Sequence, residues 1–86
     1  MNNQIFTLYT SNQLGHILQT SRKAKKMTQA ALGVKLCLSQ SRVSHLEQHA
    51  EELSFQQLNN WCAVLDLELL IGQRGAYPES KLKTDW

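Results

Sequence analysis

"MTQAALGVKLCLSQSRVSHLEQ", residues 27–48, decides the fold. It holds two hydroxyl residues that are each followed by glutamine, Thr28-Gln29 and Ser39-Gln40. Such hydroxyls accept from the free N–H groups of a helix's first turn, so each marks a helix start. The spacing predicts a helix over 29–36 that turns Leu32 and Leu36 inward, a turn at Cys37-Leu38, and a further helix over 40–48 with Val43 and Leu46 inward. Gln40, Ser41, Ser44 and His45 fall together on the side opposite Val43 and Leu46. Neither helix has a wide apolar stripe. A helix with a narrow apolar face and a polar outer face is built to pack on one side and meet a polar ligand on the other.

Working outward, "NQLGHILQTSRKAKK" carries Leu14, Ile17, Leu18 and Ser21 at helical spacing and gathers its positive charges at its end. That suits a first helix capped by Thr10 or Ser11, with cations at the negative end of its dipole. Met27 ends it. After a loop at "HAEE", Ser54 caps a fourth helix, "FQQLNNWCAVL", with Leu58, Cys62 and Leu65 inward. "DLELLIGQ" alternates, placing Leu67, Leu69 and Ile71 on one face of a short strand. A lone strand leaves its backbone groups unpaired. Residues 5–9 could pair with it, and so could the same strand of a second copy. The second solution also hides three apolar side chains and is preferred, which predicts a two-fold homodimer. The fold expected is all-α with one short β-strand: four to five helices, with the strand pairing across a dimer. Residues 1–9 form an N-terminal segment, 10–72 the domain, and 73–86 a polar, flexible tail.

The formal net charge of +2 hides a strong asymmetry. Residues 1–46 contain no acid and six cations: Arg22, Lys23, Lys25, Lys26, Lys35 and Arg42. Residues 47–86 hold all seven acids and three cations. An acid-free basic half points to a polyanion on that side. The chain of 86 residues suits one domain with a small core. No apolar run approaches the ~18 residues of a membrane span. The N-terminus lacks the basic and apolar regions of a secretory signal, so a cytoplasmic protein is expected. Cys37 and Cys62 show no CxxC spacing and are expected as buried free thiols.

Together these residues resemble the phage-repressor (XRE-type) helix-turn-helix family, through "RKAKKMTQAALGVKLCLSQSRVSHLE" at residues 22–47. The resemblance implies a dimer on palindromic double-stranded operator DNA, with the helix that starts at Gln40 in the major groove. It assigns base reading to Gln40, Ser41 and His45, with Ser44 on the same face. It assigns a phosphate contact to Gln29, and the acid-free basic half adds Lys23, Lys26, Thr28, Ser39 and Arg42 as expected phosphate contacts. The resemblance also implies a buried Arg22–Glu47 pair. Two positions depart from the family pattern. Cys37 stands where a turn glycine is common, and Gly33 stands where alanine is usual, at a helix-propensity cost of roughly 1 kcal/mol.

A narrower resemblance covers the whole layout. A four-helix reader, the strand "LDLELLI" and the tail "YPESKLKTDW" are similar to HipB-type antitoxins. That similarity implies a HipA-like kinase toxin as partner, with Trp86 of the tail as an anchor. A plain XRE-type repressor without a toxin is the alternative. The blander readings are weaker. The lysines at the end of the first helix satisfy its dipole, yet can contact phosphates as well. His16, His45 and His49 share no ligand spacing with the cysteines, so neither metal nor cofactor is expected. Trp61, beside inward Cys62, reads as partial core or dimer interface. No Gly-rich phosphate loop or nucleophile–base pair argues for an enzyme.

Overall fold

A computed structural model describes residues 5–75. Four α-helices follow in order: α1, Ser11–Ala24; α2, Gln29–Leu36; α3, Gln40–Gln48; and α4, Phe55–Leu65. A single 3-10 turn, Ala50–Glu52, lies between α3 and α4, where a plain loop was expected. Every helix starts on a hydroxyl residue. Thr10, Thr28, Ser39 and Ser54 each accept a backbone N–H three residues on. At Thr10 and Ser54 the bond is returned by Gln13 and Gln57, which makes both ends capping boxes.

The ends of α1, α2 and α4 follow one pattern, while α3 ends at His49 with φ −132°. Lys26, Cys37 and Asp66 all adopt the left-handed conformation, at φ of 59, 60 and 60°. The next residue then donates its N–H back five residues: Met27 to Arg22, Leu38 to Gly33, and Leu67 to Cys62. This is the Schellman arrangement, which satisfies carbonyls that a helix end would leave free. The position usually belongs to glycine, because a Cβ costs about 1–2 kcal/mol there. Here it is filled by lysine, cysteine and aspartate.

Each helix sends residues into one core. Leu18 of α1, Leu32 of α2, Val43 and Leu46 of α3, and Trp61 and Leu65 of α4 are buried and in mutual contact. Met27, Leu38 and Leu67, the residues just after the left-handed positions, pack against that cluster. Trp61 is only 1% exposed, so it is a full core residue and not a partial one. Burying a side chain of the Leu or Val class contributes roughly 1.5–3 kcal/mol, so a domain this small depends on every one of them. Two glycines set how closely the elements approach. A Cβ on Gly33 would strike the carbonyl oxygen of Leu38, and a Cβ on Gly15 would strike that of Glu47.

One expectation needs correction, and another reaches beyond a single chain. Cys62 is buried, but Cys37 is exposed, because the left-handed turn carries its side chain off the core. Neither cysteine forms a disulfide. The second concerns the strand. Among the described residues no strand forms within the chain, and residues 5–9 do not pair with residues 67–71. Leu67 and Leu69 are half-buried, while Leu70 and Ile71 are 56% and 96% exposed. Pairing with a second copy has no counterpart within one chain. Most of the tail, including Trp86, lies outside the described residues.

Candidate nucleic-acid interface

The site is assembled around one buried ion pair. Arg22, near the end of α1, donates from Nε to Glu47 Oε2 of α3 at 2.6 Å and from an η nitrogen to Glu47 Oε1 at 3.2 Å. Its other η nitrogen donates to the Met27 carbonyl at 2.8 Å. One guanidinium therefore fixes α1, the α1–α2 turn and α3 together. Both side chains are almost fully enclosed. A buried pair of this kind is bound by two-point geometry, which arginine supplies and lysine does not.

The pair reaches the surface through two glutamines. Gln29 Nε2 donates to Glu47 Oε1 at 3.1 Å, and Gln40 Nε2 donates to Gln29 Oε1 at 2.8 Å. The orientation of both amides follows from the carboxylate. Glu47, paired with a cation, can only accept, so Gln29 must present its NH2 to it. Gln29 then offers its carbonyl oxygen to Gln40, which must donate. Gln40 keeps its own Oε1 and a second N–H, on an exposed side chain at the first position of α3. One acceptor beside one donor on a planar amide matches the N6 and N7 edge of adenine in the major groove.

Most of the other sequence-predicted residues lie at the surface. Ser39 and Ser41 are exposed beside Gln40, their hydroxyl oxygens 3.3 Å apart. Arg42, Lys23 and Lys26 are exposed, Thr28 is exposed, and Gln29 is half-buried. A shallow cleft is lined by Arg22, Thr28, Gln29, Ala30 and Gln40, so the relay opens onto the surface between the starts of α2 and α3. Both helix starts present the positive end of a dipole. Thr28 and Ser39 each use an oxygen lone pair on their own helix, accepting from Ala31 and Arg42, which leaves the Thr28 hydroxyl proton to give and the Ser39 hydroxyl shared with Ser41.

The far end of α3 differs. Ser44 and His45 are half-buried. His45 Nε2 stands 2.9 Å from Glu52 Oε1 of the 3-10 turn, and its ring lies 4.6 Å from that of His49. His45 therefore already has a partner, seven residues on and across the 3-10 turn, where no local pattern points to it. Glu51 sits beside His49, Nδ1 to Oε2 at 3.4 Å. The Glu51 carboxyl is held below the usual carboxylate range, first by a backbone hydrogen bond and then by His49 and Ser11, against an opposing desolvation. Lys25, which shares the basic run, is held 2.6 Å from Asp66 beyond α4. Of the cations in and just after α1, that leaves Lys23 and Lys26 with no acidic partner among the described residues.

No helix among the described residues is long and apolar enough to cross a membrane. A family model described as helix-turn-helix matches residues 18–70, well over half of the 86 residues. No curated protein matches the chain.

Proposed function

The chain belongs to the XRE-type helix-turn-helix family of DNA-binding regulators, and from that premise we propose a sequence-specific repressor that reads a palindromic operator as a homodimer. The observation that carries the reading is the relay from Arg22 and Glu47 through Gln29 to Gln40, which leaves one donor and one acceptor on Gln40 at the open start of α3. In this reading α3 enters the major groove. Gln40 and Ser41 meet base edges first, with Ser44 and His45 further along. Lys23, Lys26, Thr28, Gln29, Ser39 and Arg42 hold phosphates. The dimer is sealed by Leu67, Leu69 and Ile71, paired as strands across the two-fold axis. The exposure of Leu70 and Ile71 supports a partner at this stretch.

The test is an operator selected from genomic fragments, followed by Gln40→Ala. The variant should lose about 1–3 kcal/mol and relax preference at one base pair. Lys26→Ala should weaken all sequences alike and flatten the salt dependence. Unchanged base preference in Gln40→Ala would remove the relay from the reading role.

The finer reading is an antitoxin and autorepressor in the cytoplasm of a bacterium, bound to a HipA-like kinase toxin. Its support is the resemblance of the whole layout and of "YPESKLKTDW" to HipB-type antitoxins. Trp86 would enter a pocket on the kinase. Calorimetry of Trp86→Ala with the toxin should show a loss of ~2–4 kcal/mol, the scale of an aromatic anchor. A chain that binds its operator and no such kinase would be the plain repressor.

A further inference from the structure

The C-terminal end of α3 gathers four metal-capable side chains, of which His45 alone belongs to the proposed reading face. His45 and His49 stand four residues apart, so both rings leave one side of the helix, with centroids 4.6 Å apart. The 3-10 turn folds Glu51 and Glu52 back onto them. One nitrogen of each ring already faces a carboxylate: His45 Nε2 to Glu52 at 2.9 Å, and His49 Nδ1 to Glu51 at 3.4 Å. One donor atom each from His49, Glu51 and Glu52 lies within 4.8 Å of the others. The backbone braces the group, since His49 N–H donates to the His45 carbonyl and Glu52 N–H to that of His49, at 2.8 and 3.0 Å.

We propose that His49, Glu51 and Glu52 form a binding site for a divalent transition-metal ion of the zinc class, which His45, outside that close trio but 2.9 Å from Glu52, would complete by swinging its ring inward. Paired histidines at this helical spacing, completed by a carboxylate, are a recurrent way to hold such an ion. With neutral imidazoles the cluster carries two uncompensated negative charges, and one divalent cation cancels both. Imidazole selects zinc, cobalt, nickel or copper over magnesium and calcium, which prefer oxygen alone. In a tetrahedral zinc site the donors lie about 3.3 Å apart. Solvent-facing side chains can close from 4.8 Å to that spacing by rotamer adjustment, without moving the helix.

The ion would hold His45 by its ring nitrogen, so filling the site should weaken operator binding. That consequence, unlike the site, rests on His45 reading a base. The experiment uses the full chain without an affinity tag. Calorimetry with Zn²⁺ and the visible spectrum of Co²⁺ should show one saturable ion per chain, uncontested by excess Mg²⁺. His49→Ala and Glu52→Gln should each weaken it by at least the ~10–100-fold that loss of a mere supporting residue costs. Cys37→Ser should leave it unchanged. All three positions are exposed, so circular dichroism should show folded variants. No saturable uptake, an affinity indifferent to His49→Ala, or one lost with Cys37→Ser would each overturn the site. Gel shifts with and without zinc should weaken in the wild type and stay constant in His49→Ala. Zinc bound with operator affinity unchanged would overturn the regulatory consequence alone, and loss of base preference in Gln40→Ala would still support DNA reading.

Discussion

The α2–α3 unit and the stretch after α4 answer the same problem differently. In α2–α3, Leu32, Val43 and Leu46 are fully covered, and the buried polar groups of Arg22 and Glu47 are bonded to one another and to Gln29. Everything this unit needs is supplied by one chain. After α4, Leu67 finds the core, Leu69 is half-covered, and Leu70 and Ile71 stand in solvent. The α2–α3 unit is complete as a monomer, while apolar side chains after α4 stay uncovered by the described residues of this chain. Substitutions in the first region should therefore act on folding, and those in the second on association.

The sharpest way to break that contrast is Glu47→Ala. It leaves the Arg22 guanidinium buried without its carboxylate, at a cost of about 3–5 kcal/mol. Urea unfolding should show most of this domain's stability gone. A loss under 1 kcal/mol would mean that water reaches the pair. Next is Leu69→Asp, which should barely change the unfolding of a single chain. In a dimer seam an unpaired carboxylate costs several kcal/mol, so sedimentation should show monomers, with operator binding lost. A dimer of wild-type affinity would place the seam elsewhere. Third, Cys37→Gly should stabilise by up to about 1 kcal/mol, since glycine adopts the left-handed turn without a Cβ penalty. The smallest effect is expected for Ile71→Ser in the monomer, within about 0.5 kcal/mol, as for other surface substitutions.

What could be read in advance followed the range of the interaction. The starts at Thr10, Thr28, Ser39 and Ser54 are local, hydroxyl to N–H three residues on, and a linear sequence displays them. Leu32, Val43 and Leu46 show as periodicity. Arg22–Glu47 was visible only through family resemblance, because 25 residues separate the partners. Pairs across the fold without such a guide stayed hidden: Lys25 with Asp66, His45 with Glu52, and the contact that requires Gly15. Cys37 misled for a different reason. Apolar spacing put it at the core, but the backbone sign at the turn points its side chain outward.

The three left-handed helix ends have a consequence for how the chain finds its shape. Lys26, Cys37 and Asp66 carry no intrinsic preference strong enough to stop a helix there. What rewards each stop is the next residue, Met27, Leu38 or Leu67, dropping into the hydrophobic cluster. The punctuation of this protein is thus written in its interior. A fragment holding α2 alone has nothing to fold Leu38 against, and its helix boundary should blur. Boundary and core must appear in the same cooperative step, so the chain has little use for a stage of finished helices awaiting assembly.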